Sequence, residues 1–130
     1  DKKLKTYIMT MKKVNKFLIS LIKNTKQNQI IDSHMSHDLP KRYSSLCIVV
    51  KCDIATLKKR LSKRKYTQRK IRENLDAEIF DTCLVEATER GHNILVIDTT
   101  KLTKNELTNK IVHSKRIREI FKTKEKNESI

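Results

Sequence analysis

The chain has 130 residues, 37% hydrophobic and 35% charged, with 30 Lys and Arg against 15 Asp and Glu and a net charge of +15. That composition suits one modest domain with a real core and excludes a disordered polyelectrolyte; no run approaches the roughly 20 apolar residues of a membrane span. Three cysteines without a C-x-x-C pair exclude a secreted disulfide framework and lead us to expect a soluble, intracellular (cytoplasmic) protein with reduced thiols and no membrane partner.

Residues 10–24 carry Met11, Val14, Leu18, Leu21 and Ile22 at helical spacing, with Lys12, Lys13 and Lys16 on the opposite face. A polar turn at 24–29 leads into Ile30 and Ile31, a short buried-strand pattern that ends at Asp32. The loop 33–45 holds Pro40, the only proline, and residues 46–50 (LCIVV) read as a second strand. Asp53 is placed to cap a helix whose face is Ile54, Leu57 and Leu61. The basic stretch 63–70 follows. Thr67 is placed to cap a long helix running to about residue 90, with Ile71, Leu75, Ile79, Cys83 and Ala87 spaced four apart. Gly91, the only glycine, stands where a helix C-terminus takes a left-handed residue. Residues 94–97 (ILVI) form a third strand pattern, a last helix covers 104–121, and residues 122–130 read as a frayed tail. Short, continuously apolar strands alternating with helices imply an α/β fold with a parallel sheet covered on both faces.

Two constellations could carry chemistry. The first is DSHMSHD at 32–38, at the carboxyl end of the Ile30-Ile31 pattern. Ligands of open parallel sheets bind beyond strand carboxyl ends, and an acidic residue there is the usual Walker B group that orients magnesium. In that reading Asp32 serves magnesium through water, and His34 positions a water or senses the terminal phosphate. The plain alternative makes Asp32 a loop cap and His34 a surface residue. A rival makes His34, His37, Asp32 and Asp38 a transition-metal hydrolase site, although no third histidine lies at a supporting spacing. The second constellation is Lys58, Lys59, Arg60, Lys63, Arg64, Lys65, Arg69, Lys70 and Arg72. Arg60 and Arg64 lie four apart on one helix face, where two guanidinium forks match phosphate oxygens. A solvated basic turn is the plain alternative. An RNA contact is a third reading, weakly served by Tyr66 as the only nearby aromatic. A single glycine also means that these residues hold no G-x-x-x-x-G-K-[ST] phosphate loop.

The stretches IIDSHMSHDLP, LCIVVKCD, LKKRLSKRKYTQRKIRENLDAEIFD, LVEA and VIDTT resemble, over residues 6–112, the adenylate kinase isoenzyme 6 family, described in animals as a coilin-interacting nuclear ATPase and present in archaea. The resemblance implies a P-loop NTPase-like parallel sheet with flanking helices, here without its first strand and phosphate loop, so that the sequence reads as N-terminally truncated. It implies phosphoryl transfer between ATP and AMP with magnesium, ATPase activity, and a role in maturing the pre-ribosomal small subunit and its rRNA, in contact with the eleventh small-subunit ribosomal protein. By that likeness Asp32 and His34 match the D-x-H motif, and residues 1–9 end the monophosphate-binding segment. Lys63, Arg64, Lys65, Tyr66, Thr67, Gln68, Arg69, Lys70, Ile71, Arg72 and Glu73 match the lid, with Arg64 and Arg60 on the ATP phosphates. Lys65 stands where the family often has glycine, and Thr10 where it often has aspartate. The alternative is a non-catalytic basic module that binds ribosomal protein or RNA.

Overall fold

A computed structural model of the chain describes residues 10–128, with side chains to residue 122; the segment 1–9, assigned above to monophosphate binding, lies outside the described residues. The first apolar stripe winds into α1 (Met11–Lys23). Met11, Val14, Leu18 and Ile22 are half-buried, while Phe17 and Leu21, on the shoulder of the same stripe, are exposed. Past α1 the chain has no regular structure until two 3₁₀ turns, Ser36–Asp38 and Lys41–Tyr43, on either side of Leu39 and Pro40.

The apolar runs at 46–50 and 94–97 become β1 (Cys47–Lys51) and β2 (Ile94–Asp98). They pair in parallel, with Val49 opposite Val96 and Lys51 opposite Asp98. The ladder is closed by Cys47 N donating to Asn93 O at 2.8 Å and Thr99 N donating to Lys51 O at 2.8 Å. The expected strand at Ile30 and Ile31 is not formed. A strand exists by its ladder, and among the described residues β1 and β2 pair only with each other. Two apolar residues without a partner stay irregular, and Ile30 is 96% exposed.

Between the strands run α2 (Ile54–Lys63), α3 (Gln68–Ile79) and α4 (Thr82–Glu89). Asp53 caps α2 by accepting from Thr56 N at 3.0 Å, and Thr67 caps α3 by accepting from Lys70 N at 3.3 Å. The long helix expected from 67 to about 90 is therefore two helices. The break lies at Asp81, whose φ of 52° is left-handed. After β2 come α5 (Lys104–Val112) and α6 (Lys115–Glu128), again two helices where one was expected. Thr103 and Glu106 form a reciprocal capping box on α5. Ser114 then restarts the chain as α6, its hydroxyl accepting from Ile117 N at 3.3 Å. α6 extends to Glu128, beyond the helix end read at residue 121.

Three helices end in the same way. Lys65, Asp81 and Gly91 each follow the last capped residue of α2, α3 and α4 with φ of 55°, 52° and 71°. At Gly91 the motif is complete: Gly91 N donates to Thr88 O and His92 N to Ala87 O, the paired bonds of a Schellman ending. The core comprises Leu39, Val49, Leu61, Ile71, Ala87 and Ile97. Each larger side chain among them contributes about 1.5–3 kcal/mol by leaving water. Together they hold α2, α3 and α4 against one another and α4 against β1, while Val50 and Val96 stay exposed, so among the described residues the sheet is not covered on both faces, contrary to expectation.

Candidate functional site

The loop at 32–38 is held in place by its backbone and its second half. Ser33 turns the chain: its hydroxyl accepts from Met35 N at 3.1 Å, and its carbonyl accepts from Ser36 Oγ at 2.8 Å. The His37 ring is buried and meets Glu86 Oε2 on α4 through Nε2 at 2.5 Å. His92 Nε2 donates to His37 O at 2.8 Å, and Asn15 Nδ2 of α1 donates to Asp38 O at 2.9 Å. The Asp38 carboxylate pairs with Arg90. The Cys83 thiol makes a long contact to His34 O at 3.8 Å. Three elements thus clamp one short loop.

What the clamp presents is its first half. Asp32 and His34 are exposed, and among the described residues no hydrogen bond or ion pair engages either side chain. A single free carboxylate beside a turn fits magnesium, which keeps several waters and takes one or two protein carboxylates plus substrate phosphates. The transition-metal reading does not fit. His37 and Asp38 are engaged by Glu86 and Arg90, and no metal-competent group of three His, Cys, Asp or Glu exists among the described residues.

The second feature is a cleft of about 220 Å³ at the carboxyl end of β1. Its polar lining is Lys51, Arg60, Arg64, Glu78 and Thr99, against apolar Val50, Leu57 and Leu61. Arg60 reaches from α2 across the strand ends. Its Nη2 donates to Thr99 O at 2.9 Å and Thr100 O at 3.3 Å, and its Nη1 to Thr99 Oγ1 at 3.2 Å and Cys52 Sγ at 3.4 Å. It is a strap between α2 and the loop after β2. Arg64, at the C-terminus of α2, is exposed and enters no ion pair among the described residues.

The rest of the basic segment divides by role. Lys63, Lys65 and Gln68 are exposed. Lys70 Nζ stands 4.4 Å from the centre of the Tyr66 ring. Arg69 pairs with Glu73 at 2.9 Å, and Arg72 approaches Asp76 at 4.0 Å. Ile71 is buried and ties the segment to the core. The structure therefore brings Arg60 and Arg64 to one cleft, while Asp32 and His34 lie outside its lining. The α3–α4 junction connects the two places, since Cys83 touches His34 and Asp81 pairs with Lys51.

Reading the sequence missed Lys51, Glu78, Asp81 and Thr99. Lys51 Nζ meets Glu78 Oε1 at 3.0 Å and also pairs with Asp81, and Glu78 Oε1 accepts from Cys52 N at 3.1 Å. Lys51 ending a strand run was the one local signal; its partners lie about 30 residues away in the chain. Hydrogen bonds from Thr56 hold the Asp53 carboxyl below its ordinary value, and those from Thr100 do the same for Asp98. Partial burial raises the thiols of Cys47 and Cys83, which lowers their share of reactive thiolate. No helix among the described residues is long and apolar enough to cross a membrane.

Comparison with known proteins agrees with this architecture. Residues 1–81 match the family described as AAA domain. A protein of Pyrococcus furiosus named "Putative adenylate kinase" is 37% identical over 87 residues, covering 67% of this chain and 47% of its own length. Proteins with the same name from Methanocaldococcus jannaschii and Archaeoglobus fulgidus are 33% and 38% identical over 114 and 78 residues, covering 88% and 60% of this chain and 60% and 42% of theirs. The chain thus spans about half the length of the curated relatives it matches. With a parallel α/β sheet, flanking helices and a match over residues 1–81, the chain belongs to the AAA domain family of P-loop proteins.

Proposed function

We propose that the chain serves phosphoryl transfer between ATP and AMP, as part of a nucleoside monophosphate kinase of the adenylate kinase isoenzyme 6 type. The observation that carries this reading is the cleft at the carboxyl end of β1, lined by an exposed Arg64 that enters no ion pair among the described residues. The names of the relatives support it. Arg64 holds phosphate oxygens of ATP. Arg60 shapes the cleft by fixing the loop at Thr99 and Thr100. Asp32 holds magnesium through water, and His34 orients a water or the terminal phosphate. Magnesium, when bound, neutralises charge on the transferring group. The residues 63–73 act as a lid, anchored by Ile71. No glycine-rich phosphate loop occurs in these 130 residues, so the chain supplies the lid and magnesium-side groups rather than the phosphate cradle. The resemblance extends the proposal to a role in small ribosomal subunit maturation.

A coupled assay of ADP formation from ATP and AMP tests the assignment. In a form of the protein that also carries the glycine-rich phosphate loop, Arg64→Ala lowers turnover by about 10³-fold or more, as expected for an arginine on a transferring phosphoryl group; residues 1–130 alone, without that loop, are expected to be impaired. His34→Ala lowers it as well, with circular dichroism unchanged in both. Turnover equal to that of the parent protein removes both roles. A second reading, a non-catalytic basic module on RNA, is favoured by a 54–72 segment rich in Lys and Arg and devoid of Asp and Glu. RNA affinity that falls steeply with salt, in a form that carries the phosphate loop and still does not turn over ATP, selects it.

A further inference from the structure

The cleft holds a cation that is paired with carboxylates of the protein itself. Lys51 ends β1, at the place where parallel sheets bind anions. The protein holds its ammonium from several sides: Glu78 Oε1 pairs with it at 3.0 Å, Glu78 O accepts from it at 3.4 Å, and the Asp81 carboxylate accepts from it as well. The Lys51 and Glu78 side chains are only 24% and 18% exposed, so solvent screens their pairing little. Arg60 is engaged by Thr99, Thr100 and Cys52, which leaves Arg64 as the cleft cation without an ion pair among the described residues. Asp81 keeps its pairing while in a left-handed conformation that non-glycine residues disfavour. The two-carboxylate grip on Lys51 thus includes one residue, Asp81, with a left-handed backbone.

Arg64 and Lys51 both line the cleft, and of the two only Arg64 carries no ion pair among the described residues. To reach Lys51 an anion must displace Glu78 or Asp81, two negative charges held against one ammonium. A lone orthophosphate has little to offer beyond Arg64. A connected di- or triphosphate brings further charge to Lys51 while it remains anchored on Arg64, and the second contact is then intramolecular. We infer that Lys51 is a second phosphate ligand of this cleft, and that Glu78 and Asp81 gate it so that the cleft selects polyphosphate groups over single phosphates. Glu78 and Asp81 are positioning residues here, since they act through Lys51. The inference rests on the phosphate reading of the cleft and sharpens it.

Calorimetric titration with orthophosphate and tripolyphosphate at fixed ionic strength tests both. The parent protein should bind tripolyphosphate at least about tenfold tighter than orthophosphate, a difference of about 1.4 kcal/mol. Lys51→Met should weaken tripolyphosphate binding by about tenfold and orthophosphate binding by clearly less. Glu78→Gln keeps an oxygen for Cys52 N but removes a gating charge, and should tighten orthophosphate more than tripolyphosphate. Asp81→Asn, tolerant of the left-handed backbone, should shift the ratio in the same direction and provides the test if Glu78→Gln does not fold. A purely structural role would move both affinities together and leave the ratio fixed. Binding of both anions with an unchanged ratio in all variants overturns the gate and leaves the phosphate reading standing. Absence of any binding to the parent protein overturns the phosphate reading itself.

Discussion

Lys65 shows what a single residue does to this molecule. It follows α2 in a left-handed conformation, φ 55°, with its N–H donating to Ser62 O at 3.1 Å. A side chain there crowds the following carbonyl, at roughly 1–2 kcal/mol, whereas glycine adopts the region freely. Lys65→Gly should therefore stabilise the fold by about 1 kcal/mol in urea unfolding, since the steric relief exceeds the extra chain entropy glycine loses. A lower midpoint would mean that Lys65 makes an interaction which outweighs the strain. The same site explains why part of the fold was not legible. Gly91 announced its turn because glycine is the residue that signals left-handed backbone, and it sits there with φ 71°. Lys65 and Asp81 take the same position without that signal. The end of α2 was legible only through the surrounding polar run, and the end of α3 was not legible at all. At the candidate site, Asp32, His34, Arg60 and Arg64 could be picked out as candidates because each sits in a local motif. Lys51, Glu78 and Thr99 were not, because their roles arise from pairs formed across the fold.

At the scale of elements, helix starts were written more plainly than helix ends. Asp53 and Thr67 each accept a backbone N–H three residues on, and each was placed just ahead of an apolar helical stripe; Thr103 does the same for α5 without having been singled out. The break between α5 and α6 was hidden because Ile111, Ile117 and Ile120 stay half-buried on both sides of it, so the hydrophobic pattern reads straight through. The missing strand at Ile30 and Ile31 is a different failure: its pattern was sound, but pairing is not a local property. The caps also set a pH response. Hydrogen bonds from Thr56, Thr100 and Thr103 lower the carboxyls of Asp53, Asp98 and Glu106 below their unfolded values. Groups with depressed folded values stabilise fully above their unfolded pKa, about 3.9 for Asp and 4.3 for Glu, and lose that contribution as pH falls through the folded values. Urea midpoints should thus drop on acidification below about pH 4. Asp53→Asn, which can still accept from Thr56, should flatten part of that drop. An identical acid limb in the variant would show that the α2 cap does not contribute to it.

At the scale of the whole molecule the net charge of +15 dominates. The parallel α/β class was legible from continuous apolar strands, but charge count alone could not say where the cations gather or which are compensated. The structure sorts them. Lys51 and Arg60 are held by the fold. Arg69 and Lys115 meet glutamates one turn away on exposed helix surface, where such pairs contribute about 0.3–0.5 kcal/mol. Lys58, Lys59, Lys63, Arg64 and Lys65 are exposed along one stretch without an ion pair among the described residues. Self-repulsion among such charges works against the compact state. Raising sodium chloride from about 10 mM to about 150 mM shortens the screening length from roughly 30 Å to roughly 8 Å. It should weaken that repulsion more than it weakens the few exposed pairs, while the part-buried grip on Lys51 is screened little. The thermal midpoint should then rise by a few degrees, on the order of 1 kcal/mol for a domain of this size. A midpoint that falls with salt would mean that surface pairing outweighs repulsion, and that the basic stretch is compensated within the chain rather than left open for an anionic ligand.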